Sequence, residues 1–170
     1  GAMANEGGGG LFNAGGTMVV MNATISNNVA DGASGSGGGI LNDLGTLTVS
    51  NTTLSGNTSV RAGGGIEEKS VAGSMLTLTD VTLTNNSTAS SPGNGGGLHV
   101  TGAGDSNITG GMVNGNTASL EGGGLWNGSG TMTVDGTTLD NNTASGAMAN
   151  EGGGGLFNAG GTMVVMNATI

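Results

Sequence analysis

Residues 37–57 read GGGILNDLGTLTVSNTTLSGN, and the pattern in them returns along the whole chain. GGG followed by Leu or Ile sets anchors at Leu11, Ile40, Ile66, Leu98, Leu125 and Leu156, at intervals of 29, 26, 32, 27 and 31 residues. A second aliphatic landmark, usually preceded by Thr, falls at Ile25, Leu54, Leu83, Val113, Leu139 and Ile170. Both series span the same 145 residues, so they belong to one repeating coil. The landmarks stand 14 residues apart in four of six coils, 17 in the third and 15 in the fourth. The third coil absorbs its extra residues around EEKSVAGS.

Aligning the coils exposes columns. Met18, Leu47, Leu76, Met132 and Met163 are followed two residues on by Val20, Val49, Leu78, Val134 and Val165, with Ile108 in the same column. Alternation such as TLTV and TMTV has period 2, the mark of a strand with one buried face. No stretch carries the 3-4-7 apolar spacing of a helix. The expected fold is an all-β, right-handed parallel β-helix with three short strands per coil and about 29 residues per coil. Strict six-residue spacing, which a left-handed hexapeptide solenoid needs, is missing, and strand crossovers favour the right hand. One continuous solenoid is expected over 1–170, with coils at roughly 1–29, 30–58, 59–87, 88–117, 118–145 and 146–170. Three residues past the second landmark stand Asn28, Asn57, Asn86, Asn116 and Asn142. Stacked at a bend, their amides would form a ladder that satisfies buried polar groups costing ~1–3 kcal/mol each when unpaired.

Composition agrees. Forty glycines in 170 residues with a single Pro exclude collagen, and 34% hydrophobic against 8% charged residues excludes a disordered chain. A linker reading of the GGG runs fails on their fixed distance to the aliphatic columns. The net charge of −9, from eleven acidic residues against Arg61 and Lys69, argues against nucleic acid and anionic membrane surfaces. No apolar run approaches the ~20 residues of a membrane span. The absence of Cys says little about compartment, because a long solenoid needs no disulfides.

Residues 1–25 are identical to residues 146–170. Coils differ freely elsewhere, so this identity marks a higher-order unit of 145 residues and an expected piece of a longer array. A cloning scar at the opening GAMA is a poor reading, because GAMA recurs at 146–149. An engineered duplication of one coil is the rival.

The coil pattern GGG-[LI]-x-N, T-[LM]-x-V, [NT]-x-T-[IL]-x-x-N resembles repeats of bacterial surface proteins with a pectin-lyase-like β-helix. Autotransporter passenger domains, chlamydial polymorphic outer-membrane proteins and long adhesins carry such repeats. The third glycine here replaces the Ala of the chlamydial GGA-[ILV] repeat. The resemblance implies an extracellular or cell-surface protein of bacterial origin: a structural segment of a fibre, sheath or adhesin stalk lengthened by stacking coils. Its partners would be copies of itself end to end, with glycans or a cell surface as further candidates. The competing expectation is a carbohydrate- or surface-binding adhesin module using outward aromatic and Thr faces.

No catalytic, cofactor-binding or metal site is expected. Enzymes of this fold cluster acidic residues with Lys or Arg on one sheet, whereas Glu67 and Glu68 fall in the long third coil and read as a solvated loop. His99 has no second His or Cys nearby and reads as an outward or capping residue. Glu121 and Glu151 each precede a glycine run and could share a calcium ion, but the aspartate spacing of calcium-binding repeats is absent. Forty glycines yield neither G-x-G-x-x-G nor G-K-[ST], so phosphate cradles lack support. Outward pairs Thr46/Thr48 and Thr131/Thr133 suggest an ice-binding array, interrupted at Val19, Met75 and Val164. The N-x-[ST] sequons at Asn22, Asn51 and Asn85 follow from composition. Phe12, Trp126 and Phe157 share the position after the anchor, where alternation turns them outward as a possible contact surface.

Overall fold

The structure, a computed structural model, describes residues 7–89 and 92–170. Among these residues there are strands, turns and bends but no helix. The strands stack in parallel into four sheets, two of six strands and two of five, forming a β-solenoid. Coil 2 shows the plan, with strands Ile40–Asp43, Thr46–Ser50, Thr53–Ser55 and Thr58–Ser59. The fourth strand corrects the expected three per coil. It holds two residues, too few to show any periodicity in sequence.

Register puts like on like. In the first sheet Leu11 pairs with Ile40, Ile40 with Ile66, Ile66 with Leu98, Leu98 with Leu125, and Leu125 with Leu156. The second aliphatic landmark behaves the same way, from Ile25 through Leu54, Leu83 and Val113 to Leu139. These columns, with Leu47, Val49, Leu76, Leu78, Met132 and Val134, make one continuous core. Burying each such side chain contributes about 1.5–3 kcal/mol. In coil 4 the column of Leu47, Leu76 and Met132 is occupied by Ser106, whose buried hydroxyl lacks a hydrogen-bond partner.

Left-handed bends turn the chain between sheets, at Gly15, Leu44, Gly73 and Gly102 after the first sheet and at two further recurring points. One falls at Asn22, Asn51, Asp80, Gly110, Gly136 and Asn167; the other at Asn27, Gly56, Asn85, Gly115 and Asn141, each just before a column Asn. Asn, Asp and Gly are the residues that adopt positive φ at least cost, which accounts for much of the composition. The GGG runs carry a stricter demand. Their first members, such as Gly37, Gly63 and Gly95, have φ of 61–65°. Apart from Gly155 in the last coil, their second and third members lack room for any side chain, because the same backbone of the adjacent coil passes directly over them. N–H groups of Gly37, Gly38 and Gly39 donate to the carbonyls of Ala62, Gly63 and Gly64. A Cβ at Gly64 would lie 2.5 Å from the Gly96 carbonyl oxygen and 2.5 Å from the Ser87 backbone.

This contrast is testable. Gly64→Ala should lower stability by roughly 2–4 kcal/mol, since neither blocking group is a flexible side chain. Gly160→Ala, where a Cβ meets nothing within 4 Å, should stay within ~0.5 kcal/mol. Urea midpoints for the two variants compare them directly; equal shifts would refute the close-approach argument.

Candidate functional site

The five column asparagines meet at the bend between the third and fourth sheets. Asn57, Asn86 and Asn116 are fully buried. Each side-chain amide donates to the Oδ1 of the next coil: Asn28 to Asn57 at 2.9 Å, Asn57 to Asn86 at 2.9 Å, Asn86 to Asn116 at 3.0 Å, Asn116 to Asn142 at 2.9 Å. Each acceptor oxygen also takes the backbone N–H of the Asn below it. The second amide hydrogen reaches back to a main-chain carbonyl: Asn57 to Ile25, Asn86 to Leu54, Asn116 to Leu83 and Asn142 to Val113. The ladder Asn do not themselves hold the left-handed turn; their preceding neighbours do.

The structure adds a second interior polar column, which the motif GGG-[LI]-x-N contains in its last position. Asn13, Asn42, Glu68, Val100, Asn127 and Asn158 share one register in the first sheet. Asn13 Nδ2 donates to Asn42 Oδ1 at 2.6 Å, and Asn42 Nδ2 to both Glu68 oxygens at 3.0 and 2.8 Å. Val100 interrupts the column, and on its far side Asn127 Oδ1 is buried without a partner. Glu68 therefore receives a donor from one coil only. Burial pushes its carboxyl up, Asn42 partly opposes this, and the nearby Glu67 adds to it; the pKa rises from 4.5 to about 7.

Glu67 and Glu68 thus correct the loop reading: both lie in the strand Ile66–Ser70 and are buried. The extra residues of the third coil form a tight turn just after it, where Ser74 N donates to the Val71 carbonyl. Glu67 stands in the outward column, with Leu41 below it and His99, Trp126 and Phe157 above. Outward is not exposed here. Arg61, near the start of coil 3, donates from Nε to Ser36 Oγ and from Nη2 to Glu67 Oε1 at 3.0 Å. His99, expected on the surface, is buried, with Nδ1 2.7 Å from Glu67 Oε2. The Thr101 hydroxyl donates to Glu67 Oε1 at 2.7 Å. Burial alone would raise the Glu67 carboxyl, but His99, Arg61 and Thr101 outweigh it and hold the group below its ordinary 4.5. Both oxygens are occupied and shielded from solvent, so this cluster binds the overlying segment to the sheet.

The aromatic residues continue the same column. The Trp126 ring lies 4.2 Å from the His99 ring and stacks on Phe157 at 6.4 Å with planes 10° apart. Trp126 Nε1 donates to Glu121 Oε2 at 3.0 Å. Phe12 sits four coils from Trp126, half exposed beside Leu41. Glu121 and Glu151 have separate partners: Glu121 Oε2 accepts from Trp126, and Glu151 Oε2 accepts from the Met148 N–H. Among the described residues no group of three or more His, Cys, Asp or Glu comes together to hold a metal ion. Comparison with protein-family models, curated proteins and solved structures gives no match.

These columns generate two expected outcomes. Asn86→Leu strands the Asn57 donors and the Leu54 carbonyl, leaves the Asn116 oxygen with the backbone N–H alone, and should cost roughly 2–4 kcal/mol; Asn142→Leu, at the end of the ladder, should cost clearly less. Equal and negligible shifts in denaturant midpoint would show that the ladder carries no stability. For Glu68, the raised folded-state pKa means its stabilising protonated state is fully present below pH 4.5. That stability is lost as pH rises through about 7. The loss should approach 3 kcal/mol, at about 1.4 kcal/mol per pKa unit. Urea midpoints between pH 4.5 and 8 should fall for the unchanged chain and fall much less for Glu68→Gln. Glu67 acts in the opposite sense, its contribution fading as pH drops below 4.5, so the acid limb should survive in that variant.

Proposed function

We propose that this chain is a structural segment of a long extracellular fibre, sheath or adhesin stalk at a bacterial surface, extended by stacking coils. One observation carries the reading. Coil 6, whose sequence through Ile170 is that of coil 1, stacks on coil 5 in unbroken register, with Leu125 opposite Leu156 and Val134 opposite Val165. The five-coil unit is therefore followed by its own first coil without a change of geometry. Solenoid stability is a sum of near-neighbour contributions, so such a unit can be repeated without redesigning a core.

The stacked Trp126–Phe157 pair favours a second reading, a carbohydrate-binding module whose aromatic faces receive sugar rings. In a repeated array Phe12 would occupy the place of Phe157, so the pair would recur once per unit. The two readings separate experimentally. Five coils at ~4.8 Å each give an axial repeat of about 24 Å. The parent protein should show that repeat in fibre diffraction or electron microscopy, and its absence would count against the array. A glycan array on which binding is present and lost in Trp126→Ala would favour the binding module.

A further inference from the structure

One residue in an interior coil departs from the chemistry of the turns. Leu44 follows the first-sheet strand of coil 2 with φ of 60°, and its N–H donates to the Lys69 carbonyl. Gly15 fills the same place in coil 1, with its N–H on the Asp43 carbonyl, and Gly73 and Gly102 supply positive φ at this turn in coils 3 and 4. Among the described residues, every other non-glycine at positive φ is Asn or Asp. A leucine there sets its Cβ close to a carbonyl oxygen, a strain that glycine avoids. The fold gains little burial in exchange, because Leu44 is 53% exposed. Strain held at a surface side chain points to a role outside the fold. The neighbourhood agrees. Leu44 stands one step beyond the pair Asp43 and Lys69, and the turn from Val71 to Ser74 begins just beside it. Val71 and Met75, at the two ends of that turn, are 54% and 42% exposed. Three large apolar side chains thus share one corner of the solenoid, between the first and second sheets.

We propose that this corner is a side-to-side contact between copies of the chain, with Leu44, Val71 and Met75 of one solenoid packed on the same residues of a second lying alongside. The inference rests on the fibre reading and adds lateral pairing to it. Spacing selects the partner. The three residues occur once per 145-residue unit, so an array carries one such corner about every 24 Å, at ~4.8 Å per coil. Three side chains fall well short of the ~800 Å² per partner that a stable pair needs. A foreign protein would meet one corner only. A second array has the same period, so seating one corner brings the next within reach and the contacts multiply. The contact is isologous, the same patch on both sides, so it closes as a pair of filaments. Charge favours this corner as well. Chains of net charge −9 repel one another, but Lys69, one of two cations in the chain, stands beside Leu44, 3.0 Å from Asp43 Oδ1. Asp105, paired with Met75 in the second sheet, gives its Oδ1 to the Thr131 N–H.

Sedimentation of chains carrying one, two and three copies of the 145-residue unit tests this. The dissociation constant for pairing should fall by about tenfold or more with each added unit. Leu44→Asn separates the fold from the contact, because Asn holds the same φ at six other turns. Its urea midpoint, measured at dilutions where chains are single, should hold or rise, while pairing of the three-unit chain weakens by about tenfold or more. Val71→Ser leaves the Leu44 backbone alone and should weaken pairing in the same way at an unchanged midpoint. A midpoint that falls in Leu44→Asn would show that Leu44 serves the fold and would overturn the proposal. Pairing that is absent at every length, or indifferent to both variants, would overturn it too. So would multi-unit chains that stay single yet bind a glycan array through Leu44, which would give the corner to a sugar. A parent filament with a 24 Å axial repeat that remains unpaired would leave the fibre reading standing and remove only the lateral contact.

Discussion

Every structural choice in this chain answers to one constraint: each coil must meet the next in the same register, backbone to backbone, over its whole circumference. A solenoid has no second layer to absorb an error. A residue out of step would turn its whole strand's side chains inside out. The glycine triplets hold that register where the coils come closest. At Gly38, Gly64 and Gly96 the adjacent main chain occupies the space a Cβ would need. The first glycine of each triplet adds the left-handed turn that brings the chain into the first sheet.

Once register is fixed, polar residues can enter the interior, because each finds its own kind one step away. The column from Asn28 to Asn142 uses this fully, and every buried amide within it is paired in both directions. The column from Asn13 to Asn158 shows what happens when the rule lapses. Replacing Asn with Glu68 and then Val100 leaves a carboxyl that burial drives towards neutrality and an Asn127 oxygen without a donor. One lapse in the chain's repetitive chemistry thus creates a buried carboxyl that titrates near neutral pH.

Much of the fold was legible because columns reveal themselves when coils are aligned. The anchors, the second aliphatic landmark and the ladder Asn recur at fixed local spacings, and parallel stacking turns that repetition into contact. The two-residue fourth strands left no trace, being shorter than one period of alternation. The Glu67 cluster was illegible for another reason. Alternation correctly assigns Glu67, His99 and Trp126 to the outward column. Whether an outward residue meets water depends on the segments that lie over it, and Arg61, which reaches Glu67 from one of them, belongs to the least repetitive part of the coil. Charge composition suggested a loop for the same residues, because a lone acidic pair in a sparsely charged chain looks solvated until its His and Arg partners are placed.

The coils differ in length at only a few points, and those points have a geography. From the second landmark to the ladder Asn the count is always three residues, while from ladder Asn to the next anchor it runs 12, 9, 12, 9 and 14. The slack therefore collects along one line down the solenoid, on the approach to the glycine triplets, and to a lesser extent at the turn after the first sheet. Such a line behaves as a seam. Chain can be inserted there without moving a single stacked pair, whereas one residue added between Leu54 and Asn57 would shear every ladder beyond it. A filament built on this plan would keep most of its circumference uniform and carry its variety on a single side.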